Sequence, residues 1–219
     1  MEGTESAGVV LKALLTNLGI AVVNGAVGFF GRNSALMAEA VHSLVDSLTE
    51  VLLMCGAWHG RRWDAARYLW GLLASISMFL VGGLWAIWEG IDAIKTPAQF
   101  ISWAVWVSTV ALLVTSVVES TSWIRAVRSM TPERTGRSWF VTLRTTRNTE
   151  VKAVIVEDSA DLLGRFLALI GTGLAFVTGS TVWYGYASVL IGVLLVTMAF
   201  ELGFQNVRLF VENRKVVLA

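Results

Sequence analysis

Two short stretches of this chain carry the side chains from which a metal site can be built. Residues 38–50 read AEAVHSLVDSLTE, and residues 154–164 read VIVEDSADLLG. His42 and Asp46 stand four residues apart in the first, and Glu157 and Asp161 stand four apart in the second. On a helix that spacing puts both members of a pair on one face, one turn apart. One imidazole and three carboxylates converging from two helices make a sound donor set for Zn2+, and equally for Mn2+ or Fe2+. Asp158 also shares a face with Asp161 and is kept as an alternative donor. Glu157 is preferred because its spacing mirrors that of the first pair. Taken alone, His42 and Asp46 would also suit a structural hydrogen bond between helices. The second pair at equal spacing favours metal.

The elements that must position these groups are membrane helices. Of the 219 residues, 55% are hydrophobic and only 15% are charged, against about 25% charged in soluble domains. The fold class expected is an all-α membrane protein, a six-transmembrane-helix bundle with both termini cytoplasmic. Six apolar segments, at 8–30, 35–58, 68–93, 100–124, 152–178 and 183–203, approach the ~20 residues that a spanning helix needs. Pro97 and Pro132 fall between segments, where helices end. Thirteen Arg and Lys residues flank or fill the loops after segments 2 and 4 and the tail, against Arg32 and Lys95 on the other side. That asymmetry orients the bundle. The second and fifth segments then run antiparallel, which sets His42 beside Asp161 and Asp46 beside Glu157 near mid-membrane. Ionisable groups at that depth are costly and mark ion or proton paths.

The remaining polar residues receive plainer readings. Glu39 and Glu50 are steps on an ion path or, more simply, solvated groups nearer the interfaces. Glu119 and Glu201 lie near cytoplasmic helix ends and are structural or water-facing. Asn17 and Asn24 join helices. His59 and Asp64 fall in a solvated loop. Cys55 is the only cysteine, which excludes an internal disulfide, and it packs as a small apolar residue. Glycines at 25, 28, 82, 83, 171 and 173 allow close helix packing. Trp63, Trp70, Trp103, Trp139 and Trp183 form an interfacial belt, and Trp85, Trp88 and Trp106 face lipid or pack. The sequence MEGTES lacks a basic region ahead of the first apolar run, so that helix is read as retained. A net charge of +1 gives no reason to expect nucleic acid.

NSALMAEAVHSLVDSLTEVLLMCG resembles the second helix of the cation diffusion facilitator (cation efflux) family. WAIWEGIDAIKTP resembles the end of its third helix, and VKAVIVEDSADLLG its fifth. The resemblance covers about residues 8–205. It implies a proton-coupled exporter of divalent metal, commonly Zn2+, working as a homodimer by alternating access in the plasma (inner) membrane. The family's transport ligands carry over onto His42, Asp46, Glu157 and Asp161. Many zinc-moving members have His or Asp where this chain has Glu157, so the site here is richer in oxygen. The division expected is a tail at 1–7, the transmembrane domain at 8–205 and a short cytoplasmic tail at 206–219, in place of the family's C-terminal domain.

The leading expectation is therefore metal/proton antiport. The ligands bind metal only when deprotonated, so metal uptake displaces protons. A membrane metal sensor or partner subunit would bind metal without flux. A passive channel would move metal without countermoving protons. A membrane-embedded metalloenzyme would need a nucleophile or acid–base group that the sequence does not offer, so the chain is not read as an enzyme.

Overall fold

Apolar runs of this length satisfy their backbone hydrogen bonds internally, and helices follow. The computed structural model describes residues 2–59, 66–130, 138 and 149–217. Its elements are α1 (Glu2–Gly31), α2 (Ser34–His59), α3 (Ala66–Ser77), a π-helical segment (Met78–Leu84), α4 (Trp85–Lys95), α5 (Ser102–Met130), α6 (Thr149–Thr178) and α7 (Val182–Val217). There is no strand among the described residues. The α3, π and α4 pieces follow one another without a gap, so helices cover all six predicted apolar segments. α5 and α7 run further than expected, to Met130 and Val217.

Five stretches are long and apolar enough to cross a membrane: Leu14–Gly31, Tyr68–Lys95, Ser102–Arg125, Asp158–Thr178 and Val182–Val211. The chain is a multi-pass membrane protein. α2 is not among the five. Its sequence interleaves Glu39, His42, Ser43, Asp46, Ser47, Thr49 and Glu50 with its apolar residues. Burial explains how such a helix persists. All of these except the partly buried Glu50 are buried, while Phe29, Phe30, Trp106, Val177 and Phe204 are among the large apolar side chains facing outward. Polar groups inside and apolar groups outside is the arrangement that suits hydrocarbon surroundings. Trp88, Trp103 and Trp106 share that outer surface.

α2 packs on α1, α3, α4, α6 and α7, which places it inside the bundle. Small residues allow this. Ala35, Ala38, Ala86, Ala111, Ala168, Ala175 and Ala187 are buried in one cluster with Leu36, Leu112, Ile191 and Leu195. Close backbone approaches join the π segment and α4 to α7. A Cβ on Gly90 would lie 2.6 Å from the carbonyl oxygen of Gly185, and one on Gly192 would lie 2.8 Å from that of Gly83. Between these contacts Ser188 Oγ donates to the carbonyl oxygen of Ala86 at 2.8 Å. Gly171 also meets a neighbouring backbone, whereas a Cβ on Gly173 would find open space.

A tight corner fixes where α2 begins. Arg32 adopts φ 51°, and the Asn33 amide donates to the carbonyl of Gly28 at 2.8 Å. This left-handed residue ends α1 in the manner of a Schellman turn. The buried Asn33 then caps α2, its Oδ1 accepting from the amides of Ala35 and Leu36. Its Nδ2 donates to Ser108 Oγ on α5 and Thr172 Oγ1 on α6, each at 3.3 Å. One side chain thus sets the height of α2 against both neighbours.

Candidate metal centre

From the Asn33 corner, α2 and α6 run antiparallel. Asn33 meets Thr172, Glu39 meets Arg165 and His42 meets Asp161, so residue numbers rise on one helix as they fall on the other. His42 Nε2 lies 3.0 Å from Asp161 Oδ1 and 3.5 Å from Asp46 Oδ2. His42 and Asp46 are buried and Asp161 is partly buried, and one donor atom from each falls within 4.8 Å of the others. Donors bonded at ~2.0 Å to one tetrahedral ion stand roughly 3.3 Å apart. The two separations from His42 Nε2 are close to that value. The register expected for His42 and Asp161 is the one found.

The fourth expected donor, Glu157, lies on α6 four residues before Asp161, and its side chain falls outside the described residues. Asp158 is half-buried on the same helix and is not one of the three residues whose donors converge within 4.8 Å. His59 is the last residue of α2, and Asp64 lies outside the described residues.

Glu39 is not solvated near an interface: it is 1% exposed and faces Arg165, with Arg165 Nε 3.7 Å from Glu39 Oε2. For Glu119 the structural alternative holds and the water-facing helix end does not, because α5 continues to Met130. Glu119 sits within the bundle and accepts from Arg165 Nη2. Arg165 itself is 2% exposed. It lies inside an apolar segment and so is not among the loop residues that orient the bundle. The available signal was a lone arginine four residues after Asp161, on the same helical face.

Asn17 takes its expected role: its Nδ2 on α1 donates to Glu50 Oε1 on α2 at 3.3 Å, joining two helices. Asn24 is fully buried on α1, and neither its Nδ2 nor its Oδ1 has a hydrogen-bond partner among the described residues. Glu201 is exposed and accepts from Gln205, but it does not lie near a helix end, because α7 continues to Val217.

The chemistry of the converged groups is cation binding. An imidazole and two carboxylates, held from two helices in a bundle with an apolar exterior, offer hard and borderline donors to a divalent ion. Known proteins bear on this. The model of the cation efflux transmembrane domain matches residues 10–211. Among curated proteins, the chain is similar to the mitochondrial proton-coupled zinc antiporter SLC30A9 of Xenopus laevis, 24% identical over 187 residues, covering 80% of this chain and 33% of that protein. The mouse and human proteins of the same name are 22% and 23% identical, with 80% of this chain and 32% of each relative covered. The chain therefore spans about a third of the length of these relatives.

Proposed function

The chain belongs to the cation efflux family, and on that premise we propose that it carries a divalent metal cation, Zn2+ first among the candidates, in exchange for protons. His42, Asp46 and Asp161 are the transport ligands, with Glu157 as the fourth. The observation that carries this reading is the convergence of His42, Asp46 and Asp161 within 4.8 Å, two of them buried and one partly buried, in a multi-pass bundle. Buried charges inside a membrane domain are expensive, and a cation path gives them a use.

Proton coupling follows from the donor set. Imidazole and carboxylate ligate only in deprotonated form, so each metal that binds displaces protons and each proton that binds favours release. Exposing the site alternately to each face converts that competition into exchange. The printed names of the relatives, zinc antiporters coupled to protons, support the choice of metal and counter-ion. The same names say mitochondrial, so support for the plasma (inner) membrane comes only from the resemblance. A sixth crossing through α2, cytoplasmic termini and a homodimer complete the proposal.

Flux in proteoliposomes tests it. Vesicles loaded with a metal-sensitive dye receive an imposed pH gradient and then Zn2+, Mn2+, Fe2+ or Cd2+. Metal entry that follows the gradient and disappears in Asp46→Ala and Asp161→Ala is the expected result. Folded protein that binds metal without flux would instead favour a sensor or partner subunit. Flux indifferent to the gradient would favour a channel.

A further inference from the structure

Arg165 is the only lysine or arginine buried among the described residues. It stands one turn beyond Asp161 on α6 and faces two carboxylates, Glu39 of α2 and Glu119 of α5. Glu39 in turn is three residues before His42, on the same side of α2. The two share space over Gly164: a Cβ built there would lie 2.7 Å from Glu39 Oε1 and 3.9 Å from His42 Nδ1. A carboxylate therefore stands beside the His42 cluster, turned toward a guanidinium. Among the described residues, neither Glu39 oxygen has a hydrogen-bond partner, and Arg165 stands 3.7 Å from Glu39 Oε2.

A guanidinium is always charged and has no lone pair to offer a metal. It can hold carboxylates, but it cannot join the ligand set. We infer that Arg165 withholds Glu39, and with it Glu119, from the metal, and so limits how tightly the site binds. This rests on the reading of the His42 cluster as the transport site. Each added carboxylate tightens a divalent-ion site, and a carrier that binds too tightly releases slowly. Arg165 is thus a positioning residue that sets affinity through Glu39. If it only stapled three helices together, the loss of its charge would tighten binding to the same extent with Glu39 present or replaced, and Glu39→Gln alone would weaken it.

Zn2+ titration of the full chain in nanodiscs, in competition with a chelating dye at fixed pH, separates these possibilities. Arg165→Gln is expected to bind Zn2+ about tenfold more tightly, the scale on which ligand charge tunes such sites, and to show slower flux. Glu39→Gln should stay close to wild type, and the double variant Glu39→Gln/Arg165→Gln should return toward wild type. Folded Arg165→Gln with equal or weaker affinity overturns the inference, as does a tenfold loss in Glu39→Gln, which would make Glu39 a ligand already. If Arg165→Gln does not fold, Arg165→Lys decides. Its ammonium holds one carboxylate less firmly than the guanidinium fork holds two, so a smaller tightening is expected and unchanged or weaker binding overturns the inference. Failure of folded wild type to bind Zn2+ would sink the transport reading itself, whereas wild-type binding without tightening in the arginine variants sinks only the inference.

Discussion

Two charged clusters sit one helical turn apart inside this bundle, and they solve the problem of buried charge differently. The Glu39–Arg165–Glu119 cluster carries its own counter-ion: an arginine from α6 meets a carboxylate from α2 and another from α5. The His42–Asp46–Asp161 cluster contains no arginine or lysine, only a histidine among carboxylates. The first is built around a permanent cation that faces carboxylates on two other helices. The second is built around a histidine, whose charge depends on its proton, and its three donors can turn to a proton or a metal. Removing the permanent cation would leave buried carboxylates without a counter-ion, whereas the histidine cluster can exchange what it holds.

Substitutions that break one cluster and spare the other sharpen this contrast. The largest effect on stability is expected from Arg165→Gln, which leaves Glu39 and Glu119 buried without their cation. A loss of about 3–5 kcal/mol is expected, read from thermal unfolding followed by the fluorescence of the ten tryptophans. Asp161→Ala should behave the other way, with unfolding of the metal-free protein shifted by less than about 1 kcal/mol. Its Zn2+ affinity should fall by about 100-fold or more, at or beyond the top of the range for removing a group that merely supports a ligand. Wild type at a hundredfold excess of Zn2+ over its dissociation constant should gain about 2.7 kcal/mol of stability. A chelator should remove that gain, and Asp161→Ala should not show it.

Gly164→Ala probes the boundary between the clusters. Its Cβ would press on Glu39 Oε1 at 2.7 Å, and because that atom ends a flexible side chain the cost should be about 1–2 kcal/mol. Stability equal to wild type would place Glu39 elsewhere. The smallest effect has the opposite sign. Arg32 holds φ 51° at the α1–α2 corner, a conformation that costs a non-glycine residue about 1 kcal/mol. Arg32→Gly should raise stability by about that amount without touching Zn2+ affinity, and it offers a background in which Arg165→Gln is easier to keep folded.

The histidine cluster was legible in the sequence because its signal is local. His42 and Asp46 declare their shared face by spacing alone, and Asp161 answers from a second apolar segment. Their meeting followed from antiparallel helices of known rise. The arginine cluster was hidden for the opposite reason. Glu39, Glu119 and Arg165 come from three separate helices, and no pairwise spacing joins them. Glu119 was further disguised by the length of α5, whose last residues before Met130 are polar enough to resemble a loop. Nor does any local pattern announce the π-helical turn at Met78–Leu84, whose Gly82 lies against Val45 of α2. The left-handed Arg32 is equally silent, since glycine would be the residue expected there.

Transport through the buried cluster requires the metal to sit at His42. The chain has two histidines, His42 and His59, so X-ray absorption at the zinc edge can assign the imidazole. Zn2+-loaded wild type should show nitrogen and oxygen ligands near 2.0 Å with the multiple scattering of one imidazole. That imidazole signature should persist in His59→Ala and vanish in His42→Ala. A signature that survives His42→Ala and vanishes in His59→Ala would put the metal at the end of α2, outside the buried cluster, and contradict the assignment of the transport site.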